Sequence, residues 1–283
     1  MKYISKFSIR WASFFCLLVV TTASAQTVHI SHCMAGCPVA TGDTKASNGE
    51  LIVRQLFAAS ISSEDGLADW QAYRVLADSV GVASLLPRVW FEDPLVSQAA
   101  SVADGLDSLP RLVYSVSSDA EERTYQTSEI TLLSEDQGRL VPMSSFAGTP
   151  YWSELNYLSN LAALPFNLRV GSWSRLDQSI NALADRLGEV YVVSGPIYSD
   201  VDVGGQEEQA VKSATKPSAY FKVISTPDSL SAFIFESDIQ QHANFCDQIS
   251  TLDSIETATG LRLFPQRESA FADTLHTQLT CRF

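Results

Sequence analysis

The chain has 283 residues, 46% hydrophobic and 18% charged, a globular composition with enough apolar side chains for a sizeable core, which excludes wholesale disorder. Nineteen Lys and Arg against 32 Asp and Glu give a formal net charge of −13, so there is no general cationic field for concentrating a polyanion, and any nucleic-acid contact must be local. No repeat of solenoid length, low-complexity tract or heptad run is present, which removes solenoids and coiled coils.

At the start of the chain, Lys2, Lys6 and Arg10 precede an apolar run, and Ala23-Ser24-Ala25 supplies small residues for cleavage. This reads as a secretory signal peptide over residues 1–25. The run is shorter than the ~20 residues that span a bilayer, and no later run replaces it. Residues 26–283 then form a secreted or periplasmic chain with 16 basic against 32 acidic residues. Cleavage removes Cys16 and leaves Cys33, Cys37, Cys246 and Cys281, an even set bound for an oxidising compartment. Four cysteines permit three pairings. Proximity favours Cys33–Cys37, with Gly36 easing the turn, and Cys246–Cys281. His29 and His32 beside Cys33 keep a zinc site as the alternative, although no second matching cluster accompanies them.

Short runs rich in aromatic and β-branched residues, bounded by turn signals, predict strands over 51–57, 70–76, 191–194, 219–225 and 231–236. Trp173, Leu176, Ile180, Leu183 and Leu187 recur at spacings of three and four and predict a helix over 173–187, with Asp177, Asn181 and Asp185 off its apolar stripe. A second helix is expected over 251–259, with Ser250 and Asp253 resembling a capping box and Gly260 as the stop. No regular strand–helix–strand alternation appears and no linker divides the chain. The expectation is one α+β domain over 26–283, with a mainly antiparallel central sheet flanked by helices.

The most distinctive stretch spans 136–160. It opens with Asp136-Gln137-Gly138-Arg139 and continues as Phe-Ala-Gly-x-x-x-Trp-x-x-Leu-Asn-Tyr-Leu-Ser-Asn from Phe146 to Asn160. As a loop it carries more polar residues than a connector needs. Around it stand Cys33-x3-Cys37-Pro38, Asp69-Trp70-Gln71-Ala72-Tyr73, Pro87-Arg88-Val89-Trp90, Tyr-Val-Val-Ser-Gly-Pro-Ile-Tyr over 191–198 and Lys-Pro-Ser-Ala-Tyr-Phe-Lys over 216–222. Taken in order, these segments resemble the DNA/RNA non-specific endonucleases, a family with a ββα-metal (His-Me-like) catalytic finger, over nearly the whole mature chain. Cys246 and Cys281 sit where secreted members carry their second disulfide.

The resemblance implies a family chemistry in which an Asp-Arg-Gly-His signature supplies a histidine base. An asparagine about thirty residues on holds Mg²⁺, and a glutamate and arginines assist. This chain departs from that pattern at most of these positions. Arg139 stands for the base and stays protonated. Arg169 stands for the metal ligand and has no acceptor lone pair. Asp177 replaces the glutamate, Gln137 the first arginine and Asn181 another arginine, while Arg88 is kept. Asn167 does not restore the ligand, because two residues on a helix turn by about 200°.

The expectation is therefore a nuclease homologue with phosphodiester hydrolysis lost and no cofactor. Arg88, Arg139 and Arg169 would either bind the phosphates of nucleic acid or another polyanion, or pair with Glu135, Asp136 and Asp177. The alternative is an active Mg²⁺-dependent endonuclease of DNA and RNA with a relocated base and ligand. A further reading is a secreted scaffold, in which Tyr114, Tyr125 and the acidic 117–122 stretch form a solvated insertion. Trp152 and Tyr157 stack on bases or, as the favoured reading, belong to the core. Homodimerisation, as in some members of the family, is a further expectation.

Overall fold

All seven residues of Ala219–Ser225 are buried, the pattern of a strand covered on both faces of its sheet. The computed structural model describes residues 29–42, 48–63, 66–88, 90–96, 138–198 and 217–281. Residues 1–25, expected to be a signal peptide, Tyr114, Tyr125, the 117–122 stretch, Glu135, Asp136 and Gln137 lie outside the described residues.

After a two-residue strand β1 (Val39–Ala40) come β2 (Glu50–Val53), β3 (Phe57–Ile61), β4 (Ala68–Leu76), β5 (Glu189–Ile197), β6 (Ala219–Ser225), β7 (Leu230–Glu236) and β8 (Ile249–Ser250). Strands β2 to β8 form one seven-stranded sheet in sequence order, each neighbouring pair antiparallel. β1 pairs separately with β9 (Leu261–Arg262). The predicted strand over 51–57 is two strands. Arg54 N–H bonds the Phe57 carbonyl at 2.8 Å and turns the chain back on itself, a tight hairpin that apolar patterning without Gly or Asn does not announce.

The helices are α1 (Phe166–Leu168), α2 (Ser174–Leu187), α3 (Leu252–Thr259) and α4 (Leu275–Gln278). A π turn over Arg169–Trp173 joins α1 to α2, so Trp173 lies before the helix it was expected to open. The apolar stripe of α2 is as predicted, with Leu176, Ile180 and Leu183 buried. Asp177 and Asn181 are buried too, however, and only Asp185 of the three polar positions reaches solvent. One turn apart on α2, they form a second, polar stripe turned inward. α3 is capped by Thr251, whose hydroxyl accepts the Ser254 N–H at 3.1 Å, and not by Ser250. Gly260 ends it at φ +66°, as a left-handed C-terminal stop requires.

The sheet separates two apolar layers. One face packs Tyr73, Val75, Val192, Tyr220, Ile224, Phe233 and Phe235 against α2 and the 140–164 segment. The other packs Ala58, Trp70, Ala72, Val193, Phe221 and Val223 against α3 and Leu261–Phe264. Cys33–Cys37 and Cys246–Cys281 are both bonded, with Cα atoms 4.7 and 5.4 Å apart. Among the described residues no helix is long and apolar enough to cross a membrane. In chain order residues 77–188 lie between β4 and β5, and the described part of that range, 77–88, 90–96 and 138–188, carries the site.

Candidate active site

Gly138 to Val141 runs antiparallel to Asn160 to Ala162, with Arg139 bridged to Leu161. Leu140 N–H bonds the Asn160 carbonyl and Ala162 N–H the Gly138 carbonyl, at 3.3 and 3.2 Å. The ribbon then leads into α1, the π turn and α2, a β–β–α finger reduced to minimal strands. Asn160, 0% exposed, holds it closed. Its Oδ1 accepts from Val141 N–H at 2.9 Å, and its Nδ2 donates to the carbonyls of Val141 and Leu155 at 3.1 and 3.0 Å.

Arg139 points inward from this ribbon and is only 7% exposed. Its Nε donates to the Leu155 carbonyl at 3.1 Å and its Nη2 to Asn156 Oδ1 at 2.9 Å. The guanidinium lies over the Trp90 ring, 4.2 Å from the centroid, a geometry that attracts a cation to the ring face. Asn156 Nδ2 in turn donates to the Pro87 carbonyl at 3.1 Å. Arg88, next to Pro87, is exposed. Behind Trp90, Asp93 accepts from Arg54 Nε (3.0 Å) and Nη2, from Ser159 Oγ and from Leu95 N–H (2.9 Å). The Arg54 guanidinium also stacks 3.8 Å over Tyr157. Burial works to raise the Asp93 carboxyl, but these hydrogen bonds and the Arg54 charge outweigh it and hold the group below its ordinary value.

Arg169 opens the π turn, half-buried, with its guanidinium 5.5 Å from the Phe166 ring centroid. Asn167 is exposed. One turn into α2, Asp177 forms an ion pair with Lys222 of β6, whose Nζ sits 3.8 Å over the Trp173 ring. Of the expected pairings for Asp177, an arginine is thus replaced by a lysine from the sheet face beneath α2. Burial pushes the Asp177 carboxyl up and the Lys222 ammonium down, each partly offset by the other. Asn181 Nδ2 donates to Ser144 Oγ at 3.2 Å, and Ser145 Oγ donates to Asn181 Oδ1. Among the described residues no group of three or more His, Cys, Asp and Glu is placed to hold a metal ion.

Residues 38–270 match the model of the DNA/RNA non-specific endonuclease family. The chain belongs to that family. A nuclease of Serratia marcescens is 33% identical over 264 residues, covering 90% of this chain and 89% of that one. A crystal structure of an EndoG/EndoGI complex, solved to explain EndoG inhibition, shares the fold at 17% identity, with a TM-score of 0.52 over 77% of this chain and 86% of that one.

Of the positions that the sequence resemblance assigned, Arg139, Asp177 and Asn181 of this endonuclease-family chain are buried in contact networks, Arg169 is half-buried, Arg88 is exposed and Gln137 lies outside the described residues. The residues that the resemblance assigns to the base and the metal ligand, Arg139 and Arg169, carry guanidinium groups without an acceptor lone pair, so they do not fit Mg²⁺ as ligands. Sequence reasoning missed the Arg54–Asp93 latch and the partner roles of Asn156, Asn160 and Lys222. Asn156 and Asn160 lay in the quoted motif, where two buried amides four residues apart in an aromatic run were the available signal.

Proposed function

We propose that this endonuclease-family protein does not hydrolyse phosphodiesters through its finger, and that Arg139 serves there as an internal clamp. One observation carries the reading. Arg139, which the resemblance assigns to the base position and whose guanidinium cannot take a proton, is nearly buried, hydrogen-bonded to Leu155 and Asn156 and stacked on Trp90. Loss of a general base alone removes about 10²–10⁴-fold in rate. Arg139 is held by these contacts, which supports an internal role for it over a phosphate-binding one. The oxidised cysteines and the apolar start of the chain support export, with cleavage after residue 25 and a single domain over 26–283.

The test is digestion of plasmid DNA and of RNA by the purified protein with Mg²⁺ or Mn²⁺, beside Arg139→His/Arg169→Asn. No cutting by the unmodified protein, with cutting by the double variant, is the expected result. Cutting by the unmodified protein that scales with its concentration and stops with chelator overturns it and favours a relocated base. His242 is then the first residue to replace, because the carbonyls on either side of it, Gln241 and Ala243, receive Arg175 of α2 at 3.1 and 2.6 Å.

A further inference from the structure

Beneath the finger, the sheet face that packs on α2 carries three polar residues in a row. Gln71 of β4 pairs with Ser194 of β5, and Ser194 with Lys222 of β6. All three are 0% exposed. Directly paired residues on antiparallel strands point to the same face with Cβ atoms about 4.5–5.5 Å apart. The short Ser194 side chain therefore lies between two long ones. Gln71 Nε2 extends to the Ser159 carbonyl, and Lys222 Nζ to Asp177 and the Trp173 ring. A hydroxymethyl group reaches none of these.

The hydrogen-bond inventory then points to a ligand. The Ser159 carbonyl only accepts, which fixes Gln71 Nε2 toward it and leaves Oε1 as an acceptor. Gln71 Oε1 and Ser194 Oγ meet no hydrogen-bonding protein group. Lys222 has three N–H donors, and Asp177 engages one of them. Buried polar atoms are almost always partnered, by ordered water where protein does not serve.

We propose that a single internal water molecule is bound over Ser194, donating to Gln71 Oε1 and accepting from Ser194 Oγ and Lys222 Nζ. The donor set excludes the alternatives. A metal cation would face the Lys222 ammonium, and an anion would face Gln71 Oε1 and the Asp177 carboxylate. An organic ligand has no route to residues that expose nothing. The site belongs to the scaffold, so it stands whether or not the finger above it cuts nucleic acid.

The test is a crystal structure of the purified chain at a resolution that shows ordered water, for the unmodified protein, Ser194→Ala and Ser194→Val. A peak about 2.7–3.2 Å from all three atoms is expected, kept in Ser194→Ala by its two remaining partners. The added methyl groups of Ser194→Val occupy the same space and should displace it. Thermal unfolding should then place Ser194→Val below Ser194→Ala by about 2–4 °C, although valine is the better strand former. No peak in the unmodified protein, a peak that refines as an ion, or a Ser194→Val melting temperature at or above that of Ser194→Ala overturns the proposal.

Discussion

Lys222 and Asp177 show how a charge can be kept in a sheet core. The Lys222 side chain is fully buried and that of Asp177 is only 7% exposed, and each is held by the other with the Trp173 ring against the ammonium. Removing one partner leaves an uncompensated buried charge, worth about 3–5 kcal/mol, whereas replacing both with apolar residues of similar volume is often close to neutral. Asp177→Asn and Lys222→Met should each destabilise by that amount in urea unfolding, and Asp177→Leu/Lys222→Met by much less. Equal losses in singles and double would show that packing, not charge, dominates here. Asp93 gives a pH prediction. Its folded-state pKa lies below the ordinary 3.8, so its stabilising contribution is complete above that value and is lost as pH falls through the folded one. Between pH 7 and pH 3 the urea midpoint of the unmodified protein should therefore drop further than that of Asp93→Asn. Parallel curves would rule Asp93 out as a source of acid sensitivity. The assignment of Arg139 and Arg169 to family positions rests on the fixed spacing of a sequence motif. Their surroundings were not legible in the sequence, since Arg54 meets Asp93 from 39 residues away and Lys222 meets Asp177 from 45.

Elements were legible where burial speaks in a single period. The strand over 219–225 is found as expected because both its faces are covered and its residues form a continuous apolar run. α2 begins at Ser174, one residue after the expected start, because a π turn over Arg169–Trp173, broken from helical geometry at Gly171 (φ −101°, ψ −117°), precedes it. What holds that turn lies across the chain. A Cβ on Gly171 would stand 2.4 Å from the Gln241 carbonyl oxygen, and the neighbouring Ala243 carbonyl accepts from Ser172 Oγ and Arg175. Gly171→Ala must push the loop away, at a cost of about 1–3 kcal/mol for an overpacked site. Faster amide exchange over 239–245, with a lower urea midpoint, is the expected result. An unchanged midpoint with unchanged exchange would mean that the loop yields freely and does not hold the turn in place.

At the scale of the molecule, the two disulfides close loops of very different length at opposite layers of the sheet. Cys33 belongs to the layer with Trp70, Phe221 and Phe264, while Cys281 packs with the layer that contains α2. Cys246–Cys281 spans 35 residues and ties the segment after β7 to the C-terminal turn, whereas Cys33–Cys37 spans four. If a cross-link acts mainly by restricting the unfolded chain, the long one is worth about 4 kcal/mol and the short one about 2. Replacing Cys246 and Cys281 together with alanine should accordingly lower stability by roughly twice as much as replacing Cys33 and Cys37 together, as read from urea midpoints under non-reducing conditions. The opposite order would place the contribution of the short bridge in the folded state. There it fixes the bend in which Ala35 and Gly36 adopt positive φ and the Ala35 carbonyl accepts the Gln266 N–H at 2.9 Å, so that breaking it would release the 261–266 segment from the sheet.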